Sequence, residues 1–126
     1  MKALSLTQPY ASLIIDRRKK IETRSWGTQY RGELAIHAAK SIDRDACVNF
    51  GYNPDTIVRG AIIGIAELTE CFRFLSFAFT SKEFSDEEIS YGDFTPGRYG
   101  FRLERVRTCP PIPCRGSLGL WEWVQK

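Results

Sequence analysis

The chain has 126 residues, 43% hydrophobic and 26% charged, with a net charge of +3. That is the length of one domain, residues 1–126, whose core needs neither a disulfide nor a metal to hold it. No apolar run approaches the ~20 residues of a membrane span, and the composition is that of neither a collagenous nor a disordered chain. The opening MKALSLTQPYASLIID carries only Lys2 ahead of an apolar stretch broken by Gln8, Pro9 and Asp16, which argues against a secretory leader. A cytoplasmic location is expected. Cys47, Cys71, Cys109 and Cys114 show no CxxC pairing and there is one histidine. They read as free thiols, with no metal and no cofactor expected.

The charge is uneven. Residues 1–40 hold 8 basic and 3 acidic groups (+5), residues 41–96 hold 4 and 10 (−6), and residues 97–126 hold 6 and 2 (+4). Basic ends that met in the fold would form a phosphate-attracting face.

In chain order, KALSL (2–6) alternates and predicts a strand. Thr7 is placed to cap a short helix over 8–16, with Pro9 in its first turn. The cations Arg17 to Lys20 follow at its C-terminal end, where they are favourable on dipole grounds alone. Strands are predicted at 21–26 and 32–40, joined by the turn GTQYRG, and Ser41 is placed to cap a helix over 42–50. Residues 60–74 predict a buried strand, with bends at Gly60 and Gly64. The acidic stretch 81–92 predicts a solvated helix. A strand is predicted at 97–109, a loop at the proline-rich CPPIPC, and a closing strand at 119–124. The fold class is α+β: about six strands in a small, strongly bent barrel, with two or three short helices.

Alternation over 20–25 puts Lys20, Glu22 and Arg24 on one face. Such a stripe is either a solvated ion-pair ladder or the lining of a cleft, where Glu22 accepts from a base edge and the cations hold phosphate. His37 lies on the opposite parity from Leu34, Ile36 and Ala38. Trp26 and Tyr30 flank a turn ahead of Arg31, a pairing that suits base stacking as well as core packing.

These segments together resemble the ASCH family, relatives of the PUA and EVE domains. The resemblance rests on LSLTQPYASLI (4–14), KKIETRSW (19–26), YRGELAIHAAK (30–40), GAIIGIAEL (60–68), GRYGFRLERV and RGSLGLWEW. It implies a PUA-like barrel with a cleft beside its opening that takes RNA or a modified nucleoside. The matching positions are Gln8, Pro9, Tyr10, Lys19, Glu22, Arg24, Ser25, Trp26, Tyr30, Arg31, Gly32, His37 and Lys40. These positions other than Gly32 and His37, together with Lys20 and Arg98, form the expected nucleic-acid-binding set. The chain departs from the family where Arg17 replaces a usual glycine, Tyr10 a tryptophan and Lys20 a threonine. Lys19 pairs with Glu22 only if the strand begins at Ile21.

One branch of the family resembles amidohydrolases that deacetylate N4-acetylcytidine, using a lysine with a threonine three residues later. Glu22 stands at that threonine position and suits a general base instead, with Lys19 stabilising charge. The alternative to a binding module is therefore an amidohydrolase-like enzyme or a metal-free ribonuclease, with Lys19, Glu22 and His37 as catalytic candidates. A third reading makes the acidic segment 81–93 a contact surface for a protein partner.

Overall fold

The computed structural model describes residues 1–125. It contains β1 (Lys2–Gln8), α1 (Tyr10–Ile15), β2 (Ile21–Arg24), β3 (Gly32–Ile42), α2 (Arg44–Phe50), β4 (Ala61–Arg73), α3 (Phe77–Glu83), α4 (Asp86–Ser90), β5 (Tyr99–Pro113) and β6 (Leu120–Glu122). The six strands form one bent sheet in the order β2-β5-β4-β3-β1-β6. Among the described residues only β1 and β3 pair in parallel. The barrel expected from the strand count is not closed: β2 and β6 are both edges.

That opening has a local cause. β6 is three residues long and pairs with Lys2, Ala3 and Leu4 alone. Ser5 to Gln8 of β1 thus have no strand beyond them, and the space between this half of β1 and β2 stays open.

The main core lies inside the bend. Leu4, Leu6, Leu34, Ile36, Leu68, Phe101 and Leu103 from the strands pack against Ala11 and Ile14 of α1. Gly64 lets α1 sit this close, because a Cβ there would lie 2.5 Å from Ile15 Cδ1 and 2.7 Å from the Arg107 carbonyl oxygen. A second cluster on the outer face joins Ala3, Ala35 and Ile62 to Trp121 and Trp123. A third, of Ile21, Phe74 and Phe94, lies beneath Phe84 and Ile89. All four cysteines are free thiols. Among the described residues no helix is long and apolar enough to cross a membrane.

Several predicted boundaries move for identifiable reasons. Thr7 does not cap α1, because its hydroxyl bonds that of Ser41; the Gln8 side chain accepts the Ser12 N–H instead. The cap of α2 is Asp43, not Ser41, with its carboxylate accepting from Ala46 N–H. The proline-rich segment continues β5 rather than looping out, pairing Pro113 with Ala61 and Ile112 with Ile62. On its far side β5 meets β2 only at residues 99–102. The prolines therefore lie on a free edge, where a missing N–H costs nothing. The acidic stretch holds the end of α3, which starts earlier at Phe77, and all of α4, so the described residues contain four helices.

Arg17 adopts the left-handed conformation (φ 61°) that a glycine would take without strain. Carbonyl oxygens of the last turn are satisfied here by the N–H groups of Arg17, Arg18 and Lys19. The turn then delivers Lys19 just ahead of β2.

Candidate functional site

The opening between β1 and β2 is a cleft of about 540 Å³. β1 supplies Ser5, Leu6 and Thr7, α1 supplies Tyr10, and β2 supplies Glu22, Thr23 and Arg24. The far wall is Asp43, residues 90–93 and Arg98.

Its floor is an ordered line of charge. Lys19 is 1% exposed. Its Nζ donates to the carbonyl oxygens of Ile21 (2.7 Å) and Tyr91 (2.9 Å) and lies 3.5 Å from Glu22 Oε1. The other carboxylate oxygen of Glu22 accepts from Arg24 Nε at 2.9 Å. Arg24 Nη2 then donates to the Ser5 carbonyl oxygen at 2.8 Å. Glu22 is thus held between two cations, with 8% of its surface open to the cleft. Burial pushes the Lys19 ammonium below its ordinary pKa, against the opposing pull of Glu22 and Glu88. The Tyr10 ring lies 5.8 Å from Lys19 Nζ. Burial, then the charges of Asp43 and Glu22, raise the Tyr10 phenol.

The acidic segment builds this site; it is not only a solvated helix. Glu88 of α4 is 8% exposed. Its carboxylate accepts from Lys20 N–H (2.9 Å) and Ile21 N–H (3.3 Å), fixing the start of β2. Asp93 N–H donates to Thr23 Oγ1 at 3.1 Å. With the Lys19–Tyr91 bond, residues 88–93 clamp the stretch 19–23 by four hydrogen bonds.

The predicted residues divide among several places. Tyr10, Glu22, Arg24 and Arg98 line the cleft, with Lys19 behind Glu22. Arg98 also pairs with Asp93 at 3.5 Å. Gln8 is fully buried, bonding Ser12 and the Val58 carbonyl oxygen. Pro9 is buried behind Tyr10 in sequence, and Ser25 is exposed beyond the cleft. Trp26 packs edge-on against Phe101 at 5.3 Å, and the Tyr30 hydroxyl donates to the Glu33 carbonyl oxygen. Arg31 donates to the carbonyl oxygens of Thr28 and Tyr30 within its own turn. Lys20 points away from Glu22 and lines a different cleft with Arg17.

His37 and Lys40 line a third cleft, of about 470 Å³, with Cys114, Gly116 and Leu118. There His37 Nε2 donates to the Cys114 carbonyl oxygen (2.9 Å), and Nδ1 shares a hydrogen bond with Ser5 Oγ (2.9 Å). Trp121 Nε1 donates to the same serine oxygen at 3.1 Å. Ser5 is the one residue common to this cleft and the Glu22 cleft.

No sequence pattern marks Asp43, and Tyr91 and Asp93 fall only within the acidic segment 81–93 read as a partner surface. Asp43 sits at a helix cap, and the other two reach the cleft only through the α4 clamp. With them the lining sets Arg24 and Arg98 against Glu22, Asp43 and Asp93, so the cleft is of mixed charge.

Residues 4–104 match the ASCH domain. The chain therefore belongs to the ASCH family. Its fold is also that of the ASCH protein of Zymomonas mobilis, with a TM-score of 0.64 at 17% identity over 99% of this chain and 87% of that one. A tyrosine-to-phenylalanine variant of that protein superposes with a TM-score of 0.64, covering 99% and 90% of the two chains at 17% identity. Its serine-to-alanine variant gives 0.63, 99% and 88% at the same identity. No curated protein matches the sequence.

Proposed function

We propose that the Glu22–Arg24 cleft recognises a single nucleobase, presented as a modified nucleoside or as an unpaired RNA nucleotide. The observation that carries this reading is the Lys19–Glu22–Arg24 line. It holds a carboxylate acceptor and a guanidinium donor side by side, already oriented, at the floor of a cleft of nucleoside size. A base edge presents the complementary donors and acceptors, and Tyr10 offers an aromatic face. The mixed charge of the lining favours a base over a polyanionic backbone.

The test is calorimetric titration of the full chain with the four ribonucleosides and N4-acetylcytidine. Saturable binding of one of them, weakened at least about tenfold by Glu22→Gln, is expected for loss of a charge-assisted bond worth ~1.5–3 kcal/mol. No binding of any nucleoside, or binding indifferent to Glu22→Gln, would sink the proposal.

An enzymatic reading draws on one specific feature, the buried Lys19 ammonium 3.5 Å from Glu22. In hydrolysis of an acylated nucleoside, Glu22 takes the proton of the attacking water and returns it to the amide nitrogen as the C–N bond breaks, releasing the free acid and the amine. Lys19, enclosed behind Glu22 and held by the Ile21 and Tyr91 carbonyl oxygens, orients that carboxylate. Release of free acid from N4-acetylcytidine, abolished by Glu22→Gln, would favour this reading over binding alone. His37 has no part in it, since it lines another cleft.

A further inference from the structure

The cations missing from the base-sized cleft gather at a neighbouring one. The Leu103 N–H donates to the Lys20 carbonyl oxygen at 2.9 Å, so the basic turn 17–20 lies beside the basic stretch 102–107 of β5. Between them is a cleft of about 550 Å³ lined by Arg17, Lys20, Leu103, Glu104, Arg105 and Val106. Lys19 borders it too, with its ammonium turned toward Glu22. Three exposed cations thus face one carboxylate. Arg105 is shared with Glu67 at 2.8 Å. Arg17 donates to the Val106 carbonyl oxygen at 2.6 Å. Neither Arg17 nor Lys20 has a carboxylate within ion-pair distance among the described residues.

The backbone marks the same place. Arg17 (φ 61°) and Arg105 (φ 50°) are the only non-glycine residues with positive φ among those described. They come from different elements and flank one cleft. Left-handed backbone is unfavourable for a residue with a side chain, and such strain gathers at functional sites. Glycine would satisfy either position. An arginine at each keeps a guanidinium at the cleft, and the guanidinium fork matches a phosphate oxyanion.

We propose that this cleft binds a phosphate oxyanion, and that with an RNA strand it holds a backbone phosphate while the adjacent cleft holds a base. The oxyanion site stands on its own observations; its use by a strand rests on the nucleobase reading above.

The experiment uses the full chain, Arg17→Gly and Lys20→Gln, with two probes. One is a short fluorescent oligouridylate, followed by anisotropy across a salt series; the other is inorganic phosphate, followed by thermal shift. Arg17→Gly suits the backbone and is expected to fold at least as stably as the parent. Each variant should weaken oligouridylate binding roughly three- to tenfold and flatten the slope of log affinity on log salt by ~0.7. Each should also shrink the phosphate-induced shift. A phosphate shift lost in the variants, without oligouridylate binding to the parent chain, would support the oxyanion site and overturn its use by a strand. Binding of neither probe, or binding unaffected by either variant, would overturn the inference entirely. Nucleoside binding sensitive to Glu22→Gln would in that case leave the base site standing.

Discussion

Arg24 Nη2 lies 2.8 Å from the carbonyl oxygen of Ser5, joining β2 to β1 where no strand pairing does. The same guanidinium neutralises Glu22 from the side opposite Lys19. One side chain therefore spans the open side of the sheet and orients the carboxylate on the cleft floor.

Arg24→Ala should remove both contacts at once. The variant is expected to lose ~1.5–3 kcal/mol, the scale of hydrogen bonds to charged groups. Arg24→Lys should recover little of it, because an ammonium lacks the fork that serves two acceptors. Urea unfolding of the three proteins measures this. Equal midpoints for Arg24→Ala and the parent would show that the bridge does not hold the opening.

Glu88 is predicted to matter more than its neighbour Glu87, although both sit in a run of carboxylates. Glu87 is exposed and accepts from the Tyr91 hydroxyl. Glu88 is buried and accepts two backbone N–H groups at the start of β2. Glu88→Ala leaves those donors unpaired, at a cost of ~2–3 kcal/mol, and loosens Lys19 at the cleft. Denaturant titration of the two alanine variants should separate them clearly. A larger loss for Glu87→Ala would contradict the clamp.

His37 is expected to behave as a structural residue. Its ring spans Ser5 Oγ and the Cys114 carbonyl oxygen, and a Cβ on Gly116 would lie 2.6 Å from His37 Cε1. His37→Ala should cost ~1–3 kcal/mol by leaving half-buried partners unpaired. It should change nucleoside affinity by less than about twofold, equivalent to under ~0.4 kcal/mol. Calorimetric titration of the folded variant checks this, and a tenfold loss of affinity would assign the histidine to the site.

What the sequence made legible follows from the range of the interactions involved. Alternation in 2–6 and 33–39 reflects side chains that really do face opposite layers, so those strands are visible from a few residues. Lys19 reaches Glu22 because β2 begins at Ile21, a possibility that the pattern leaves open. The prolines at 110, 111 and 113 read locally as a loop. Their place in a strand depends on β2 being too short to cover that edge. Glu88, Tyr91 and Asp93 carry no mark of the site, since what matters is their contact with residues some 70 positions away. The sheet is bent as expected but stays open, for a related reason. Strand count says nothing of strand length, and β6 is too short to close it.

Tyr52 gives the structure a titration of definite sign at high pH. Its hydroxyl donates to Asp16 Oδ2 at 2.6 Å, while the Arg18 guanidinium lies 5.6 Å from its ring centre. Burial, then the bond to Asp16 and its charge, push the phenol from its ordinary 10.0 up to about 12. A pKa raised by folding means that the native state holds its proton more tightly than the unfolded chain. The stability this contributes is complete below pH 10 and is lost as the pH rises toward about 12. Tyr10 and Tyr91 are raised as well and act in the same direction. Lys19, lowered by burial, acts in the opposite one, because losing its proton relieves the cost of a buried charge. Tyr52→Phe isolates one group from this sum. The stability difference between parent and variant, measured by urea unfolding at steps of pH, should be constant up to pH 10 and shrink between there and about 12. A difference that stays flat across that interval would mean that the Tyr52–Asp16 bond does not hold the phenol's proton in the folded state.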